Sequence, residues 1–139
     1  MKNLANCKPS EFLKQTVRIK KSVEKWLTDT DVLNIRKNVP NFAKVDKDTS
    51  AEEQAEIRAK NRELAQKQAR ENLSKIFDAI FEQHPDETLE LLALLCFVEP
   101  AQVDDYPICD YLNAIAEMIS NEAVVGFFTS LARLGQTNI

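Results

Sequence analysis

Glycine is nearly absent from this chain, with Gly126 and Gly135 the only two in 139 residues. Sheet-rich domains turn every 8 to 12 residues or so and use Gly, Asn-Gly or Asp-Gly to do it. No such dipeptide occurs and prolines number five, so long helices with few breaks are expected and a β architecture is excluded. Histidine is scarcer still. His84 is the single imidazole, which leaves no His cluster for a metal or for general acid–base work. Cysteines are few, odd in number and far apart (Cys7, Cys96 and Cys109), unlike the dense even set of a secreted disulfide framework. The expectation is three free thiols in a reducing cytosol. Long apolar runs are missing as well. The most hydrophobic stretch, Leu89 to Val98, contains Glu90 and falls well short of the roughly 20 residues of a membrane span. The start of the chain shows no short apolar block with small residues after it, so no secretory signal is expected.

Catalytic constellations are wanting for the same reasons. Glu82 and Asp86 stand two positions from His84, and neighbours at that spacing point apart on a helix. Asp104, Asp105 and Asp110 form an acidic turn without the central glycine and closing glutamate of a calcium loop. Phosphate-cradling loops need glycines, and the N-terminal half has none. The reading is a soluble, all-α, non-enzymatic protein with no catalytic, cofactor or metal site, acting by binding other macromolecules.

What the chain does have is helical periodicity and uneven charge. Residues 1–27 carry seven cations (Lys2, Lys8, Lys14, Arg18, Lys20, Lys21 and Lys25) against Glu11 and Glu24, a balance of +5. Residues 84–139 carry nine acids against Arg133 alone, a balance of −8. The two ends can fold together or face different partners. A first helix opens at Pro9-Ser10, with Ser10 as its cap and Phe12, Thr16, Ile19, Val23, Trp26 and Leu27 as its apolar stripe. Thr28 to Asp31 should interrupt it, and a short second helix through Val32, Leu33 and Ile35 should stop before Pro40.

Residues 40–50 read as a polar connector. Ser50 and Glu53 then have capping-box spacing, and nothing breaks a helix from Ala51 until Pro85. Its first part is polar, with Ile57 and Leu64 as the large apolar residues, and is either an exposed arm or a pairing helix. Leu73, Ile76, Phe77, Ile80 and Phe81 make its second part amphipathic. A helix begins at Pro85, and its stretch Leu89–Phe97 is apolar on nearly every side and therefore central to the core. Another runs from Ile108 to Ile119. The last is capped by Asn121 and stopped by Gly135.

The expected organisation is residues 1–50, a basic helical segment and polar connector, followed by residues 51–139, a long helix plus a compact helical domain centred on 71–139. The N-terminal segment should join that folding unit. A basic first helix raises nucleic-acid binding, but Trp26 lies on the apolar stripe, the whole chain is acidic, and no helix-turn-helix is recognisable.

Ser22-Val-Glu-Lys-Trp-Leu27, Asp31-Val-Leu-Asn-Ile-Arg-Lys37, Leu91 to Pro100, Asp104-Asp-Tyr-Pro107 and Gly126-Phe-Phe-Thr-Ser-Leu131 together resemble the small tail-assembly chaperones of long-tailed bacteriophages and prophages of Gram-positive bacteria. The resemblance spans most of the chain through short phrases rather than one diagnostic motif. It implies an all-helical protein of the host bacterial cytoplasm that holds the tape-measure protein while tail-tube subunits polymerise around it. It carries no assigned site residues.

Partner-binding candidates come instead from the residues: Val125 and Phe128 on the last helix, Ile57 and Leu64 on the long one. Phe127, with Val124 and Leu131 at −3 and +4, is expected to face inward, and Phe128 with Val125 to border a client or self-association surface. The alternatives are a nucleic-acid-binding phage regulator and a helical adaptor for another protein client.

Overall fold

The computed structural model describes residues 1–136, and these are helical without any strand. Six α-helices follow one another: α1 Pro9–Thr30, α2 Val32–Arg36, α3 Ala51–Asp78, α4 Pro85–Leu95, α5 Ile108–Ser120 and α6 Glu122–Leu134. A π-helical turn, Ala79–Gln83, prolongs α3, and a 3₁₀ helix, Pro100–Asp105, lies between α4 and α5.

Two compact units partition these elements. One joins Met1–Trp26 to the C-terminal segment from Asp86, and the other is Leu27–Pro85. This grouping differs from a division at 50/51 with a compact domain at 71–139. The basic N-terminal helix is built into the C-terminal half, and residues 71–85 belong to the other unit. Periodicity marks which face of α1 is apolar but not which distant helix will cover it.

In the first unit the core forms around Leu4, Ile19 and Leu94, with Phe12, Leu91, Leu95, Met118, Val124 and Phe128 packed against them. A second cluster, Cys96, Tyr111 and Ala114, packs with Leu92, Val98 and Val103. Buried polar groups tie α1 to α4. Gln15 is buried and its Nε2 donates to the Leu94 carbonyl at 2.6 Å. The Trp26 indole N–H donates to Thr88 Oγ1 at 3.0 Å. Arg18 pairs with Glu99 at 3.4 Å on the surface. The basic end of the chain thus packs on the acidic end.

Helix ends follow local chemistry, with two departures from expectation. Pro9, not Ser10, opens α1, since proline's fixed φ and missing N–H suit the first helical position. Glu11 accepts from Lys2 and from the Lys8 N–H, and these two donors, in that order, hold its carboxyl below the usual range. The helix then runs on through Thr28 and Asp29 to Thr30, which is buried, so packing overrides the local preference for a break. Asp31 makes the turn instead in the left-handed region, φ 57°.

α4 ends at Leu95, and the chain turns away two residues later at Phe97, also left-handed at φ 58°. The Val98 N–H reaches the Ala93 carbonyl at 2.9 Å and the Phe97 N–H the Leu94 carbonyl at 3.4 Å, the pairing that normally favours glycine at this position. Ser50 and Asn121 cap α3 and α6 as their spacing predicts, accepting from the Glu53 and Val124 amides at 3.2 and 3.1 Å.

In the second unit α2 packs on α3, with Val32 buried. The polar half of α3 is not a free arm. Asn61 both accepts from the Ala43 N–H and donates to the Ala43 carbonyl, each at 3.0 Å. Gln54 donates to Asp46 and Thr49, and Asn72 to Asn38. The connector 40–50 is therefore laid along the helix by its amide side chains.

Candidate functional site

The hollow that best fits a binding role lies in the first unit, where α1, α5 and α6 meet. Leu4, Ile19, Leu95 and Met118 line it together with Val124 and Phe128, and Ile119 and Val125 stand exposed at its margin. Its volume is about 490 Å³. The hydroxyl of Thr129, also in the lining, donates to the Val125 carbonyl at 2.8 Å and is thereby used within its own helix. The hollow consequently offers apolar contact with little competing polarity. Such a surface grips aliphatic or aromatic side chains and gives no group for acid, base or nucleophilic chemistry.

The order of the two phenylalanines on α6 is the reverse of that expected. Phe128 packs against the core and stacks on Phe12 at 5.9 Å between ring centroids, whereas Phe127 is 45% exposed and meets the edge of Phe12 at 5.7 Å. Val124 is half-buried but Leu131 is exposed, so the inward stripe runs through Val124 and Phe128. The helical spacing admits either neighbour, and the position of α1 selects Phe128. Phe128→Ala is accordingly expected to cost roughly 2 to 3 kcal/mol and Phe127→Ala less than about 1 kcal/mol, compared by urea unfolding. Equal midpoint shifts would contradict this packing order.

Of the four partner-binding candidates, the structure brings Val125 and Phe128 to one hollow. Ile57 is half-buried and Leu64 exposed, two turns apart on α3 in the other unit. Leu4 and Ile19, which build the hollow from the N-terminal side, were not legible as site residues. Their role depends on a contact across more than 70 residues of chain.

No family model, curated protein or solved structure matches the chain.

The cysteines are free: Cys7 half-buried, Cys96 buried and Cys109 exposed. Among the described residues no group of three or more His, Cys, Asp or Glu is placed to hold a metal ion, and no helix is long and apolar enough to cross a membrane. His84 ends the π-helical turn, its N–H donating to the Ala79 carbonyl at 3.0 Å. Burial pushes the Cys96 thiol up to about 11, with the N-terminal amine acting weakly the other way. A thiol held protonated in this manner is a packing group rather than a nucleophile.

Proposed function

We propose that this chain is a tail-assembly chaperone that binds the tape-measure protein of a long-tailed phage in the host cytoplasm and keeps it soluble while the tail tube forms. The observation that carries the reading is the apolar hollow between α1, α5 and α6, open at Val125 and Ile119. A client-holding protein needs apolar patches bordered by charge and no catalytic group. The phrases Ser22 to Leu27, Asp31 to Lys37 and Gly126 to Leu131 support the narrower assignment to phage tail assembly, with the tail-tube protein as a second contact in the same proposal.

The nucleic-acid alternative draws support from the cations of α1. Trp26 is engaged with Thr88 and Arg18 with Glu99, and both observations weigh against it.

Co-expression of the full chain with tape-measure fragments of the same phage or prophage, followed by pull-down, tests the proposal. The wild-type chain should capture and solubilise a fragment. Val125→Asp should reduce capture at least about tenfold, about 1.4 kcal/mol, because it sets an unpaired carboxylate at the margin of an apolar site. A folded chain that captures no tape-measure fragment, or one that shifts DNA strongly and salt-dependently, would overturn it.

A further inference from the structure

One face of α1 carries Arg18, Lys21, Ser22 and Lys25, at spacings of three, one and three. Together with Leu94 of α4 and Pro100 beyond it, these residues line a hollow of about 280 Å³ within the first unit. Glu90 completes the lining. None of these residues belongs to the apolar hollow between α1, α5 and α6.

Ser22 is the informative member. It is 7% exposed, yet among the described residues nothing hydrogen-bonds its hydroxyl. Nor is that oxygen sealed from solvent, as Thr16 Oγ1 is. A helical serine ordinarily turns its hydroxyl to solvent or back to the carbonyl four residues earlier, the bond that Ser130 makes to Gly126 at 2.9 Å. A hydroxyl more than nine-tenths buried and without that bond is a donor open to whatever enters the hollow. The lysines beside it are in the same condition. Lys20 is taken by Glu24 and Arg18 by Glu99, but Lys21 and Lys25 pair with no acid among the described residues.

We propose that this hollow is a carboxylate site, filled by an Asp or Glu side chain from an acidic segment of a partner protein. Ser22 donates to the carboxylate, Lys21 and Lys25 supply the charge, and the methylene stem lies against Leu94 and Pro100. Charge decides for carboxylate over phosphate. Arg18, Lys21 and Lys25 against Glu90 and Glu99 leave a balance of +1, which one carboxylate neutralises and a phosphate near its dianionic form exceeds. Phosphate recognition also favours the planar fork of an arginine. Arg18 already turns both terminal nitrogens of its fork to Glu99, at 3.5 and 3.4 Å.

Isothermal titration calorimetry of the full chain with an acetylated and amidated hexaglutamate, at low ionic strength and with no client present, tests the proposal. Binding should be measurable and should weaken as salt is raised. Ser22→Ala keeps the net charge and removes a hydroxyl that the fold does not use. Its unfolding midpoint should therefore stay in place while the affinity falls at least about fivefold. Lys21→Gln should weaken binding about threefold. Arg133→Gln, the same loss of one charge on α6 outside the hollow, should not. A wild-type chain that does not bind the peptide, a Ser22→Ala chain that binds it as before, or an Arg133→Gln chain weakened as much as Lys21→Gln would each overturn the proposal. Inorganic phosphate or a single-stranded oligonucleotide that binds more tightly than the peptide, and is lost in Ser22→Ala, would reassign the hollow to phosphate and overturn it as well.

Discussion

Tyr111→Ala is expected to lower stability by about 3 to 5 kcal/mol, the largest effect of a single substitution in the first unit. Tyr111 is 2% exposed and packs with Cys96 and Ala114 beneath Leu92, Val98 and Val103. Its Oη donates to the Val103 carbonyl at 2.7 Å, and its ring meets Tyr106 edge-on at 6.4 Å. One side chain thereby fastens α5 to the 3₁₀ segment and to the end of α4. Truncation removes a full ring from a closed cluster and also leaves a carbonyl without its donor. Tyr111→Phe separates the two contributions. It keeps the ring and loses the hydrogen bond, and should cost about 1 to 2 kcal/mol. Urea unfolding of the two variants is the measurement. If both unfold at the wild-type midpoint, α5 is not anchored here.

Raising the pH from about 9 to 11 is expected to destabilise the first unit through Cys96. Burial disfavours the thiolate and holds the folded thiol at about 11, above its ordinary value of 9.0. A group whose folded value is raised contributes its stabilisation in full while the unfolded chain is still protonated. That contribution shrinks as pH rises between the two values, because the unfolded thiol ionises first. A displacement of this size corresponds to about 2 to 3 kcal/mol once pH exceeds the folded value. Tyr111 acts in the same direction: burial, followed by the neighbouring Cys96, Tyr106 and Asp105, raises its phenol.

Cys96→Ala should flatten the alkaline part of the stability curve, read as denaturation midpoint against pH. Alkylation gives a second readout. Cys109 should react in the folded protein, and Cys96 only after denaturant is added, as Cys109 is exposed and Cys96 is 2% exposed. A Cys96 that reacts as readily as Cys109 would show that the cluster around Tyr111 opens.

Sequence by itself determined the class and most helix ends of this protein. Scarcity of glycine, the caps Ser50 and Asn121, and prolines at positions 9 and 85 act within one turn of chain, so local chemistry suffices to place them. The helix from Ile108 to Ile119 was legible on the same grounds. Local signals gave less at Phe97 and Asp31, where non-glycine residues take left-handed φ because the flanking helices hold them there.

Only the tertiary structure decided which apolar faces are covered. Ile57, Leu64, Val125 and Phe128 could be named from periodicity, but not that Phe128 turns inward and Phe127 outward. That choice follows from where α1 lays Phe12. It also made Gln15 a buried tie to the Leu94 carbonyl, joined the basic helix to the acidic half, and built the hollow from Leu4 and Ile19 as well as α6. The physical reason is common to all of them. Helical periodicity reports that a face is apolar, whereas burial depends on a partner tens of residues away, and no local pattern encodes that partner.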